Sequence, residues 1–145
     1  MFSKQEASYI RKKFWETTGQ YLAPMPSASL EKVNWINYKT GVKHISFRMH
    51  ADENMALLSI EISHPDPIKR ELYYNQFLGL KNKLSGEWRW EGSLDQSPGR
   101  IFIQLNDINI YKQETWPQII SFFKDGILRL DAFWVAYRDI FEMLD

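Results

Sequence analysis

The sequence contains no cysteine, which removes disulfide staples, thiolate nucleophiles and thiolate metal sites together. Such a chain suits a reducing compartment, and the cytoplasm is the expected location. Net charge is missing too. Eighteen basic residues face eighteen acidic ones, for a formal charge of +0 at pH 7, so no global field draws the chain to a polyanion or an anionic membrane. No stretch approaches the roughly 20 apolar residues of a membrane span, and the opening Met1-Phe2-Ser3-Lys4-Gln5-Glu6 has no apolar leader segment. A Gly-x-Ser-x-Gly elbow, a Gly-rich phosphate loop, a Gly-x-Gly-x-x-Gly turn and an EF-hand loop are all absent. These absences lower the expectation of an enzyme, and neither a cofactor nor a resident metal is expected.

Rings, by contrast, are plentiful: nine Phe, seven Tyr and six Trp make 15% of 145 residues, within an apolar share of 44%. That material is enough for one folded core and excludes disorder. The size is that of a single domain.

Periodicity divides the chain into helices and strands. Ser3-Lys4-Gln5-Glu6 has the form of a capping box, and Ala7, Ile10, Phe14, Thr18 and Tyr21 follow at helical spacing. Ala23-Pro24-Met25-Pro26 ends that helix. A surface loop over 24–32 and a short extended piece at Trp35 come next. Residues 43–50 alternate, with Val42, Ile45, Phe47 and Met49 apolar and His44, Ser46, Arg48 and His50 mostly polar. Ala51-Asp52-Glu53-Asn54 forms a turn, and residues 55–63 alternate again, predicting an antiparallel hairpin. Asp66-Pro67 supplies an N-cap and a first-turn proline for a second helix reaching about Leu84, closed at Gly86. Residues 87–91 and 100–106 alternate as a second hairpin around the turn-rich Gly92–Gly99. Thr115-Trp116-Pro117-Gln118 reads as another capping box. It opens a long run with unbroken 4-3 apolar spacing from 116 to 144.

The resulting order, α-β-β-α-β-β-α, specifies an α+β fold. It has a four-stranded antiparallel sheet, or five strands if the Trp35 segment joins, with helices on one face. The two strand–strand–helix units hint at a pseudo-duplication. A final helix of about 29 residues would measure roughly 43 Å, against about 38 Å for a compact domain of this size. It must project, bend at Gly126 or serve two surfaces. Its second half carries Phe133, Trp134, Tyr137 and Phe141, either as core or as a homodimer or protein-partner interface.

Alternation also places polar side chains together on the open sheet face. His44, Arg48, Glu61, Arg89, Glu91, Arg100 and Gln104 form a candidate ligand-binding surface there. It is either a set of cross-strand ion pairs or an arginine site for an anionic group such as a phosphate beside Phe102. Metal-dependent phosphodiester cleavage would want acids converging on a cation with a nearby lysine. Asp52, Glu61 and Asp66 flank the first hairpin, but Glu61-Ile62-Ser63 lacks the lysine of a Glu-x-Lys strand. His44 and His50 lie about 20 Å apart along a strand, too far to share one ion.

Phe14-Trp15, Trp35-x-Asn37-Tyr38-Lys39-Thr40-Gly41, Arg70-Glu71-Leu72-Tyr73-Tyr74, Trp88-x-Trp90, Thr115-Trp116-Pro117 and Phe133-Trp134 together resemble an uncharacterised bacterial domain family. The likeness covers nearly the whole chain. Such domains occur as small stand-alone proteins and C-terminal to domains that resemble nucleases. The resemblance implies an accessory role and carries over no catalytic residue. The expected function is a non-catalytic binding or assembly domain, self-associating through the C-terminal helix. The alternative is a nuclease-associated accessory whose polar sheet face contacts nucleic-acid phosphates.

Overall fold

The computed structural model describes residues 2–91 and 99–145. In chain order it has α1 (Lys4–Leu22), β1 (Ile45–Ala51), β2 (Met55–Ile62), α2 (Pro67–Gly79), β3 (Arg89–Glu91), β4 (Arg100–Asn106) and α3 (Trp116–Glu142), with 3-10 turns at Lys81–Lys83 and Gln113–Thr115. The fold is α+β, with three helices and a four-stranded sheet in the order β1-β2-β4-β3. Every neighbouring pair is antiparallel. β1 and β3 are therefore the sheet's edges. No helix among the described residues is long and apolar enough to cross a membrane.

Local chemistry explains most boundaries. Ser3 Oγ accepts the Glu6 N–H at 3.1 Å, and Asp66 Oδ1 accepts the Ile68 N–H at 2.9 Å, so two helices start at side-chain caps. Thr115 caps nothing. Its hydroxyl donates to the Asn109 and Lys112 carbonyls instead, and α3 begins on Trp116-Pro117 without the expected box. In the β1–β2 turn the Asp52 carboxylate accepts the N–H groups of Asn54 and Met55. Partial burial would raise the Asp52 carboxyl, but Asn54, His50 and Met55 together outweigh it and hold the group below its ordinary range.

Several details differ from the sequence reading, and β3 starts at Arg89 rather than 87. β1 starts at Ile45 rather than 43, because His44 takes a left-handed backbone with φ of 70°. α2 stops at Gly79, seven residues before Gly86, and a 3-10 turn carries the chain onward to a buried Leu84. The Trp35 segment stays outside the sheet. Residues 23–44 have no regular structure, yet Ser27, Trp35, Thr40 and Val42 are buried. The stretch read as a surface loop is thus partly interior.

The core lies between the helices and one sheet face, with Phe47, Leu58, Ile60 and Ile101 meeting Phe14, Phe77, Phe123 and Trp134. α3 is the spine, and Gly126 is where it touches the sheet. A Cβ built there would come within 2.6 Å of Leu58 Cδ2 and 2.7 Å of Ile103 Cδ1. Close approach, rather than bending, gives this glycine its place. Gly126→Val should therefore lower stability by about 2 to 3 kcal/mol through overpacking, as a fall in the urea midpoint, although valine has the better helix propensity.

Candidate functional site

Strand register builds the open face row by row. One row runs Ser46, Glu61, Arg100, Glu91, and the next runs Arg48, Ser59, Phe102, Arg89. A third sets His50, Leu57 and Gln104 side by side. Six of the seven predicted ligand residues share this face. His44 does not join them: its left-handed backbone leaves its ring edge-on to His64 at 4.5 Å.

Two of the three arginines on this face lie against acids. Arg48 Nη1 is 3.5 Å from Glu61 Oε1, and Arg100 Nη2 is 3.5 Å from Glu91 Oε2. Ser59 Oγ donates to Glu61 at 3.0 Å. Gln104 donates to Asn106 at 2.7 Å. Such exposed pairs contribute about 0.2 to 1 kcal/mol each. Phe102 is buried on this side, outside the main core, with the Arg100 guanidinium 4.4 Å and that of Arg89 5.8 Å from its ring centroid. Guanidinium planes cover apolar rings well. The face is therefore a partly ion-paired lattice over an aromatic centre. Among the described residues no group of three or more His, Asp or Glu side chains could hold a metal ion.

The expected interface on α3 is corrected in three of its four positions. Phe133, Trp134 and Phe141 are 3%, 1% and 0% exposed. Phe77 stacks against all three rings, and Trp134 Nε1 donates to the Thr40 carbonyl at 2.8 Å. Their apolar area is already buried within the chain. Tyr137, half-buried, packs on Phe133.

A concave surface lies elsewhere, where residues 32–39 run past α1. A hollow of about 740 Å³ is walled by Trp15, Val33, Trp35 and Ile36, with Lys12 and Lys32 at its rim. A second, of about 630 Å³, shares Trp15, Ile36 and Asn37 with it and ends on the outer edge of β1 at Phe47, Arg48 and Met49. Side by side across these shared residues, they make a groove of two adjoining hollows. Its wall is set by Gly19, where an added Cβ would meet Ile36 Cδ1 at 3.2 Å.

A buried acid fixes that wall. Asp131, on α3, accepts hydrogen bonds from Ser27 Oγ at 2.9 Å, the Ala28 N–H at 2.8 Å and the Tyr38 hydroxyl at 2.6 Å. Trp35 Nε1 donates to the Met25 carbonyl at 3.3 Å. Burial first, then the Asp131 carboxylate, pushes the Tyr38 phenol far above its ordinary value of 10.0, with Arg138 opposing. A group whose folded value lies above its unfolded one stabilises the protein fully below the unfolded value, and that contribution is lost as pH rises beyond it. Stability should thus fall above about pH 10. Tyr38→Phe should flatten that alkaline fall in guanidinium titrations. It should not abolish it, because burial also raises Tyr73 and Tyr74.

Residues 10–138 match the family described as Domain of unknown function (DUF4268). The chain belongs to this family. No curated protein and no solved structure matches it. The DUF4268 match spans most of α1, the groove, the four strands and nearly all of α3. It includes Trp15, Ile36 and Asp131, which the sequence reading did not assign to a site.

Proposed function

We propose that this DUF4268 domain is a binding and assembly module rather than a catalyst, and that its protein partner sits in the groove between α1, residues 32–39 and the β1 edge. One observation carries the reading: a hollow of about 740 Å³ is walled by Trp15, Val33, Trp35 and Ile36 and adjoins a second hollow that ends on an open strand edge. Apolar walls with a few polar groups at the rim suit recognition. The wall is also fixed in advance by Asp131, which lowers the ordering cost of binding. An accessory role beside a nuclease-like domain is compatible with this reading.

A selection of phage-displayed random peptides on the immobilised domain tests it. Enriched clones should lose binding at least about tenfold, or about 1.4 kcal/mol, on Ile36→Arg, a change at the groove's centre. Clones that bind both proteins alike, or no enrichment at all, would overturn the groove as the contact surface. A second reading, phosphate contact at the open sheet face, is favoured only by Arg89 and Arg100 flanking Phe102. It requires DNA or RNA retention that weakens steeply with salt and is lost in Arg89→Ala.

A further inference from the structure

The ladder itself tells which backbone groups of β1 face outward. The Ser63 N–H donates to the His44 carbonyl at 2.8 Å, so 44 and 63 form a hydrogen-bonded pair. In an antiparallel ladder bonded pairs alternate with unbonded ones. Ser46, Arg48 and His50 therefore bond toward β2, while the amides and carbonyls of Ile45, Phe47 and Met49 point to the outer edge. Ile45 is served there by its own chain, donating to the Val42 carbonyl and accepting from Thr40 Oγ1. Phe47 and Met49 have no such partner among the described residues. Their edge faces the second hollow, beside Trp15, Ile36 and Tyr38.

Charge narrows the occupant. The linings of the two hollows hold Lys12, Lys32, Lys39 and Arg48 with the single carboxylate of Glu16; Lys12 lies 4.0 Å from Glu16 and Arg48 3.5 Å from Glu61, which leaves Lys32 and Lys39 as the excess of positive charge. A second copy fits poorly. Antiparallel self-pairing of β1 about its middle residue would set Arg48 directly beside its own copy on one face, and like charges opposed across strands destabilise the pair.

We propose that the β1 edge takes an extended acidic segment of a partner protein as a fifth strand, its backbone bonded to Phe47 and Met49 and its alternate apolar side chains lying against Trp15 and Ile36. This rests on the groove being the contact surface and names its partner class. Main-chain bonds give such strand addition its affinity, and the pockets for alternate side chains give its selectivity. The acidic side chains on the open-face side meet Arg48, and Lys32 and Lys39 line the hollows beside the added strand.

The test uses the whole chain and a labelled eight-residue peptide alternating glutamate with valine, read by fluorescence anisotropy. A lysine–valine peptide and a glutamate–valine peptide N-methylated on alternate amides, in both registers, serve as comparisons. The acidic peptide should bind at least about tenfold tighter than either comparison, and Arg48→Glu should weaken it by a similar factor. Met49→Pro removes an outward N–H that β2 does not use and should abolish binding. If that variant does not fold, the N-methylated peptides still probe the same bonds. Undiminished binding of N-methylated peptides in both registers, no binding of the acidic peptide, or a homodimer lost in Met49→Pro would each overturn the proposal. Groove-dependent phage clones that are neither acidic nor sensitive to N-methylation would overturn it while leaving the groove as the contact surface.

Discussion

Replacing Trp134 with alanine is expected to lower the unfolding free energy by about 3 to 5 kcal/mol and to leave the mass measured by light scattering unchanged. The indole is 1% exposed. It stands edge-on to Phe47 at 5.4 Å and packs on Phe141 at 5.1 Å. Truncation leaves a cavity between sheet and helix. It also strips the Thr40 carbonyl of its donor, which adds an unsatisfied buried acceptor. Guanidinium unfolding gives the first quantity. An unchanged midpoint with a reduced mass would return this ring to an interface between chains.

Asp131→Ala is expected to cost about 3 kcal/mol or more, since hydrogen bonds to a charged group are worth roughly 1.5 to 3 kcal/mol each and the orphaned Ser27 hydroxyl is buried. Here three donors, from Ser27, Ala28 and Tyr38, lose one acceptor. The loss should be local as well as global: hydrogen exchange should rise most over residues 23–44, which Asp131 ties to α3. Asp131→Asn keeps one acceptor oxygen and should fall between alanine and the parent. Uniform exchange across the chain would contradict the local role.

Fold class was readable because two-residue alternation sorts a half-buried strand without ambiguity. Ile101 and Ile103 against Arg100, Phe102 and Gln104 is such a case, and the register sets them on opposite faces. Ends were less legible. His44 continues the alternating pattern, yet its backbone turns left-handed, which composition alone does not announce. Thr115 matches a capping box by residue type, but its hydroxyl finds nearer carbonyls.

Partners across the fold were the least legible. A wide apolar stripe on a long helix looks the same whether a sheet or another subunit covers it, so Phe133, Trp134 and Phe141 could be placed on a face but not assigned to a neighbour. The groove escaped the reading because its walls come from α1 and an irregular segment, and irregular segments have no period. One trace of it was present. Asp131 falls four residues after Ile127 and three before Trp134, on the apolar stripe of α3, and an acid in that setting calls for buried donors.

The bonds that hold residues 23–44 in place reach far along the chain. Ser27 to Asp131 spans 104 residues, Tyr38 to Asp131 spans 93 and Thr40 to Trp134 spans 94. On a ribosome, the groove beside α1 consequently has no fixed shape until α3 has emerged. Until then a nascent DUF4268 chain displays Trp15 and Trp35 without the geometry that Asp131 and Trp134 impose on residues 23–44.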